Sequence, residues 1–227
     1  MNEVADQDFA DPADMTLDEL RLHLAPEIAQ SAVFDGWGEE ALSIAADMAG
    51  VDLDVARLAF PGGAMDMIDA FVETVDLAML EAFPAERIAA LKVRDRIREL
   101  VLFRLDAVIG LEEAIRRASA IMALPQNAPR AVKIGWRTAD RMWRLAGDTA
   151  TDYNHYTKRA ILSGVYASTL AIFLDDRSEE KADSRAFLDR RLANVMQFEK
   201  LKRGLVRPEA ERFSVSRFLG RLRYPAR

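Results

Sequence analysis

Apolar residues recur every three or four positions along most of the chain, the spacing that places them on one face of an α-helix. The first series, Leu20, Leu24 and Ile28, follows the capping box formed by Thr16 and Glu19, a typical helix start. No stretch alternates between apolar and polar residues over the length of a convincing β-strand. The pattern therefore predicts an all-α fold.

Turn residues divide this pattern into separate helices. Gly50, the Pro61-Gly62-Gly63 stretch and Gly147 interrupt the apolar series, because glycine tolerates turn conformations and proline cannot continue a helix. The first predicted helix starts at the capping box and includes the series from Leu20 to Ile28. The other predicted helices cover residues 39–49, 53–60, 65–82, 84–109, 112–123, 131–146, 152–174 and 179–202.

The longest uncharged stretch, Ala160 to Leu174, has fifteen residues. A membrane-spanning helix needs roughly 20 apolar residues, and this stretch also contains serine, glycine and threonine. We expect it to be a helix buried on most sides.

Composition excludes several kinds of site. The chain has no cysteine and two histidines, His23 and His155, so disulfides, cysteine-ligated metals and multi-histidine metal centres are excluded. Asp148, Asp152 and His155 have a spacing that could touch one metal, but they come from a single helix, and a metal centre draws ligands from several. We predict no metal, cofactor or catalytic residue. An enzyme of an unrecognised kind stays open, because missing phosphate-binding and nucleophile motifs do not exclude one.

Charge is distributed unevenly behind the net value of −6. Residues 1–60 carry fourteen acidic side chains against Arg21 and Arg57, a net charge of −12. Residues 200–227 carry nine basic side chains against Glu209 and Glu211, a net charge of +7. The two ends of the chain are therefore suited to different partners.

The first 70 residues contain a recognisable helical spacing at Gly36-Trp37, Ala45, Gly50-Val51 and Phe60-Pro61. This spacing resembles the N-terminal three-helix unit of TetR-type regulators. The helix in the recognition position carries Asp52 and Asp54 against Arg57, whereas a DNA-binding helix needs basic groups for phosphate contacts. We expect a degenerate helix-turn-helix without nucleic-acid binding, and a TetR-like regulator with a lipid effector is the alternative.

A second motif runs from Met142-Trp143 through Ala146-Gly-Asp148 to Thr151-Asp-Tyr-Asn-His-Tyr-Thr-Lys-Arg-Ala160. It resembles the lipid-binding accessory family of ubiquinone biosynthesis, the ninth of the Coq proteins, over about residues 20–195. The resemblance implies a homodimeric TetR-like helical bundle that is not an enzyme. It also implies binding of isoprenoid quinone intermediates and their presentation to the demethoxy-ubiquinone di-iron hydroxylase.

By matching position, the resemblance places hydroxylase docking on Met142, Asp152, Tyr156 and Arg159, together with His155, where the family has tryptophan. Helical spacing puts the last four of these positions on one face. From the residues themselves, this face is either a docking patch or a solvated surface. The pair Trp136 and Trp143, seven residues apart, is predicted to be core.

The bundle helices carry large apolar side chains that could line a lipid cavity, as a bound polyisoprenoid requires. The candidate lipid-binding residues are Phe71, Met79, Phe103, Met122, Leu162, Val165 and Phe173.

The basic tail forms an apolar stripe opposite arginines when it is projected as a helix, a pattern typical of helices on anionic membranes. The candidate membrane-binding residues are Val215, Arg217, Phe218, Leu219, Arg221 and Leu222. Packing of this helix on the protein body is the alternative.

These patterns predict four segments. They are an acidic disordered N-terminus (1–15), a degenerate helix-turn-helix unit (16–63), a lipid-binding and dimerisation bundle (64–203), and a linker with a membrane helix (204–227). The first residues, acidic and without an apolar core, have the character of neither a signal peptide nor a transit peptide. We therefore expect a bacterial cytoplasmic protein associated peripherally with the inner membrane.

Overall fold

The structure is a computed structural model, and it describes residues 12–149 and 153–205. Every regular element in these residues is helical, as the apolar spacing predicts. The helices are α1 (Leu17–Asp35), α2 (Glu39–Ala49), α3 (Leu53–Ala59), α4 (Ala64–Ala82), α5 (Ala85–Ala89), α6 (Val93–Asp106), α7 (Glu112–Met122), α8 (Ala128–Leu145), α9 (Tyr153–Asp175) and α10 (Ala182–Leu205). Short 3-10 turns occupy Pro12–Asp14 and Glu179–Lys181.

The ends of the first three helices follow the sequence signals. The capping box forms, since Thr16 accepts a hydrogen bond from the Glu19 amide while the Glu19 carboxylate accepts one from the Thr16 amide. Gly50 ends α2 in the left-handed region with φ of 67°, where a side chain would be strained. Asp52 caps α3 through bonds from the amides of Asp54 and Val55.

Helix α1 lies at the centre of the N-terminal packing, in contact with α2, α4 and α7. Its inward side chains Leu24 and Ile28 are completely buried. Trp37 joins the same core: its ring lies 5.9 Å from that of Phe71 on α4, and its Nε1 donates to the Ala114 carbonyl on α7 at 2.7 Å. The three-helix unit is thereby tied to the helices that follow it.

The sequence predicts one helix over residues 84–109, and this prediction is wrong. The structure has two helices, α5 and α6, separated at residues 90–92, and α6 ends at Asp106. The Arg96 side chain accounts for the break, because it donates to the carbonyls of Ala89 and Leu91 that a continuous helix would occupy. A tertiary contact at 2.9 Å to the Ala146 carbonyl holds Arg96 in place.

An ion-pair ladder joins α4 to α8, which run in the same direction. Four acidic residues of α4 meet three arginines of α8, and the pairing advances along both helices together. The acidic residues are Asp66, Asp69, Glu73 and Asp76, and the arginines are Arg130, Arg137 and Arg141. The ladder fixes the register of α8 against the bundle.

A hydrogen-bonded corner links α9 to α10. Both Asp176 carboxylate oxygens are occupied: one accepts from the amide and hydroxyl of Ser178 and the other from those of Ser184. Burial raises the Asp176 pKa, but these bonds outweigh it and hold the pKa well below its usual value. Lys181 closes the end of α9 by donating to the Asp176 carbonyl at 2.9 Å.

The chain divides into two compact units, residues 1–188 and 189–227. Both sides of the predicted boundary at residue 63 lie in the first unit, and the segment boundaries at 15, 63 and 203 stay predictions. Within the part of the chain that the structure describes, no helix has the length and apolar character needed to cross a bilayer.

Candidate functional site

An aromatic surface lies where α8 meets the first turn of α9. It consists of Trp136 on α8 and His155 and Tyr156 on α9. The Trp136 ring centroid is 5.9 Å from that of Tyr156 and 6.4 Å from that of His155, and the His155 and Tyr156 rings are 5.1 Å apart. The Tyr156 side chain is 62% exposed, and Val132, one helical turn before Trp136, is 69% exposed.

A charged cluster lies beneath this surface. Arg159, only 2% exposed, donates from Nε to Asp140 at 2.6 Å and from Nη1 to Asp148 at 3.0 Å and to the His155 carbonyl at 3.0 Å. Lys158 donates to the other Asp148 oxygen at 2.5 Å. These bonds connect α8, the loop after it and the first turn of α9, so they hold the backbone that carries His155 and Tyr156.

The charge of this cluster is stabilised by its own contacts. Burial raises the pKa of Asp140, but the hydrogen bond from Arg159 and the charge of Arg144 outweigh burial and leave the pKa below its ordinary value. Asp140 is therefore ionised at neutral pH. Trp143 adds a neutral link, since its Nε1 donates to the Lys158 carbonyl at 3.0 Å.

The predicted docking residues do not all lie on the surface. Tyr156 is exposed and His155 is half-buried, whereas Met142 is completely buried and Arg159 is almost so. Placing these two on the docking face is therefore corrected: Met142 packs in the core, and Arg159 supports the surface from below. Asp152 lies outside the described residues.

Trp136 is predicted to be core, and this prediction is only partly right: Trp136 is half-buried, and its ring belongs to the aromatic surface. The available signal was its position one turn after Val132 and one turn before Asp140, on a helix face that is not uniformly apolar.

The seven candidate lipid-binding residues have different neighbours. Phe71 packs on Trp37, Phe103 meets Phe83 edge to face at 5.6 Å, and Phe173 lies under the Lys181 ammonium at 4.6 Å. Met79, Leu162 and Val165 are buried, and Met122 is partly exposed. A lipid-lining role for these side chains stays a prediction.

Two further predictions concern metal and membrane binding. Within the described residues, no three histidine, aspartate or glutamate side chains come together in an arrangement that could hold a metal ion. Both Asp148 oxygens bond to cations of the protein instead. The candidate membrane-binding residues between 215 and 222 lie outside the described residues.

The helix in the recognition position, α3, is exposed and acidic. Its single arginine, Arg57, bonds to Glu39 and Asp54 at 2.6 Å each, so its charge is engaged within the protein. The hydrogen bonds that Arg57 donates to these carboxylates raise the pKa of its guanidinium. The helix-turn-helix packing is present, but among the described residues 36–63 the one basic side chain is engaged with carboxylates, whereas phosphate contacts require free cations.

The fold defines the class of protein, a TetR-like helical bundle. A solved structure with this fold is the TetR transcriptional regulator from Nitrosomonas europaea, which matches with a TM-score of 0.63 over 78% of this chain and 98% of that chain. The identity is 24%, so this likeness concerns the fold alone.

Within that class, residues 128–199 match the COQ9 family, and they include the whole aromatic surface. The chain is a homologue of curated COQ9 proteins. It is 32% identical to "Ubiquinone biosynthesis protein COQ9, mitochondrial" of Rattus norvegicus over 71% of this chain and 54% of the relative. The human protein of that name is 30% identical over 71% of this chain and 52% of the relative. The chain thus spans about half the length of these relatives.

The expected bacterial inner-membrane localisation is contradicted by these relatives, which are mitochondrial proteins. The expectation depended on the composition of the first residues. That composition does not discriminate between compartments, because a mitochondrial leader is removed from the mature protein.

Proposed function

We propose that the chain is a non-catalytic accessory protein of ubiquinone biosynthesis. In this role it binds an isoprenoid quinone intermediate and presents it to the demethoxy-ubiquinone di-iron hydroxylase. The names of the relatives support the pathway. The observation that carries the proposal is the aromatic surface, with its exposed Tyr156, within the family-matching residues.

The composition of this surface suits protein docking. Aromatic side chains supply large contact areas with few rotatable bonds, and they dominate the binding energy of many interfaces. Tyr156 offers a ring and a hydroxyl, and the neighbouring rings of Trp136 and His155 restrict its motion. The buried bonds of Arg159 hold the backbone behind them, so little ordering is needed when a partner binds.

Lipid binding follows from the chemistry of the substrate. A polyisoprenoid tail needs an apolar environment outside the bilayer, since each Å² of apolar surface moved into water costs about 25 cal/mol. The apolar side chains of the bundle helices can supply one. The basic sequence at 212–223 provides a means of reaching an anionic membrane, because each arginine near such a surface contributes about 1 kcal/mol.

Homodimerisation is supported by an uncharged face of α9. Four small residues on that face, Ala160, Gly164, Ala167 and Ala171, are exposed at helical spacing. Small side chains allow two helices to approach closely, and a twofold axis would bring the same face of a second copy against it.

The proposal is tested by two measurements on the same preparation. Organic extraction of the purified protein, followed by mass spectrometry, should release a quinone, a quinone precursor or another isoprenoid lipid in near-stoichiometric amount. Surface plasmon resonance with immobilised hydroxylase should give saturable binding. Tyr156→Ala should raise the dissociation constant at least about 10-fold, as loss of an aromatic anchor does.

Ile109→Ala is the matched control, because Ile109 is 55% exposed and lies in the loop between α6 and α7. It should leave the affinity unchanged. Equal affinity for the hydroxylase in wild type and Tyr156→Ala would remove the aromatic surface from the interface. An extract without lipid and a sensorgram without binding would together reject the function.

A further inference from the structure

The outward sides of α2 and α3, two helices in contact with each other, carry three large apolar side chains in water. Met48 is 67% exposed, Leu58 is 64% exposed and Val55 is 42% exposed. Asp47 adjoins Met48 on α2, and Asp54 adjoins Val55 on α3, both exposed. Glu40 lies two helical turns before Asp47 on the same side of α2. Below, "α2–α3 face" means these six side chains.

The rest of both helices explains why this face stays outside. Ala41, Ala45 and Ala46 of α2, and Ala56 of α3, are completely buried against the body. The opposite sides of the helices are therefore fixed inward by small residues at close packing distance. Met48 and Leu58 cannot turn into the core without displacing that packing.

The electrostatics of this region are one-sided. Between residues 36 and 63 there are five acidic side chains and one basic one, Arg57. The Arg57 guanidinium already bonds to Glu39 and Asp54, so the region presents carboxylates to solvent. Nucleic acid and anionic membranes are repelled by such a surface, whereas a cationic partner is attracted to it.

We propose that the α2–α3 face is a docking surface for a cationic amphipathic helix of a partner protein. The apolar stripe of such a helix covers Met48, Val55 and Leu58, and its flanking lysines or arginines meet Glu40 and Asp47. Exposed methionine suits this role because its flexible, polarizable side chain adapts to different apolar contours. Carboxylates at the edge of the face attract the cationic helix and speed its association. Burial of the apolar side chains then stabilises the complex.

This surface is separate from the aromatic surface. It lies on the second and third helices, whereas Trp136 and Tyr156 belong to α8 and α9. The proposal does not rest on the function proposed above, and either can fail without the other.

The test uses the full chain and a synthetic probe. The probe is a fluorescein-labelled leucine–lysine amphipathic peptide of about 18 residues, roughly five helical turns. Binding is measured by fluorescence anisotropy near physiological ionic strength. The Debye length is then about 8 Å, which limits long-range electrostatic attraction. We expect saturable binding. Met48→Ser combined with Leu58→Ser should raise the dissociation constant at least about 10-fold, as should Glu40→Lys combined with Asp47→Lys.

Matched controls separate docking from general attraction to an acidic protein. Glu81→Lys combined with Glu86→Lys makes the same change in net charge at exposed positions of α4 and α5, and Ile109→Ser removes an exposed apolar side chain elsewhere. Each control should change the dissociation constant less than about twofold, since distant surface charges are screened.

Three results would overturn the proposal. The first is equal weakening by the Glu81 and Glu86 control. The second is equal binding of a peptide of the same composition with its leucines and lysines shuffled, which has no apolar face. The third is self-association that the Met48 and Leu58 variant abolishes, because this would assign the face to a second copy. Far-UV circular dichroism that matches the wild type must accompany each variant, and Glu40→Gln combined with Asp47→Gln replaces the lysine variant should that one misfold.

Discussion

Asp76 of α4 and Arg104 of α6 form an ion pair inside the helical bundle, where their side chains are 0% and 3% exposed. Asp76 also accepts a hydrogen bond from Arg141 of α8 at 2.9 Å, and Thr138 approaches both its oxygens at 3.3 Å. Burial lowers the Arg104 pKa, but neighbouring Tyr166 and Asp76 raise it by more than burial lowers it. The net pKa is raised, so Arg104 remains charged. One buried carboxylate thus joins three helices.

Replacing Asp76 should destabilise the protein strongly. Asp76→Ala leaves the Arg104 charge buried without its partner, which costs about 3–5 kcal/mol of unfolding free energy. Urea denaturation followed by circular dichroism measures this cost. Asp106→Ala is the control, since its pair with Arg185 is exposed and contributes about 0–1 kcal/mol. Equal midpoints for the two variants would contradict the prediction.

The ion-pair ladder between α4 and α8 should make stability depend on acid pH through Glu73. Burial raises the Glu73 pKa, but the hydrogen bond from Arg21 and the charge of Arg137 outweigh it, so the pKa lies below its ordinary value. The unfolded chain therefore binds this proton at a higher pH than the folded one. The contribution of Glu73 is fully present above the unfolded pKa of about 4.3 and is lost as the pH falls through the folded pKa.

Thermal unfolding between pH 7 and pH 3 checks this contribution. Glu73→Gln should be less stable than wild type at pH 7 and should lose less stability over the acid range, because the group that titrates there has been removed. Glu81→Gln, at an exposed position of the same helix, should follow the wild-type profile. Parallel profiles for wild type and Glu73→Gln would show that another group governs the acid transition.

The all-α class, most helix positions and the TetR-like N-terminal unit follow from local signals. Thr16, Gly50 and Asp52 act within a few residues of their own positions, so their caps can be predicted from sequence. The break between α5 and α6 depends on Arg96 reaching the Ala146 carbonyl, fifty residues away. Local propensity contains no information about such a contact.

The candidate site also combines features that the local sequence predicts with features that depend on distant contacts. The resemblance supplies the proposed docking region, and helical spacing places His155 and Tyr156 on one face. The burial of Arg159 and the partial exposure of Trp136 could not be predicted from the sequence, because both depend on how α8 and α9 pack. Arg159 is charged and nevertheless buried, since Asp140 and Asp148 surround it, while Trp136 is apolar and only half-buried. Residue type alone favours the opposite assignment.

Asp148 should act as a positioning residue for the aromatic surface. Asp148→Asn removes the charge that binds Lys158 and Arg159, so the first turn of α9 loses an anchor while Tyr156 keeps its identity. We expect the dissociation constant for the hydroxylase to rise about 5-fold to 10-fold, with near-wild-type helical content; a tenfold change corresponds to about 1.4 kcal/mol. Surface plasmon resonance measures the affinity.

A variant that restores the carboxylate distinguishes a positioning role of Asp148 from a general loss of structure. Asp148→Glu retains the carboxylate and should recover most of the affinity. Asp175→Asn is the control, because Asp175 is an exposed partner of Arg116 at the far end of α9. Loss of affinity in Asp148→Asn that matches a loss of helical content would indicate unfolding of the turn rather than its positioning.

The uncharged face of α9 should be the dimer contact, and a charge placed there should separate the subunits. Ala167→Glu puts a carboxylate on a face whose exposed members Ala160, Gly164 and Ala171 are small and uncharged. In a twofold dimer that carboxylate is buried against its symmetry mate, so dissociation should be favoured at least about 10-fold, since uncompensated buried charge is strongly unfavourable. Sedimentation velocity over a concentration series measures the change. Ala78→Glu, at another exposed helical alanine, on α4, should sediment like the wild type. An Ala167→Glu protein that stays dimeric to the same dilution as Ala78→Glu would place the dimer contact on another face.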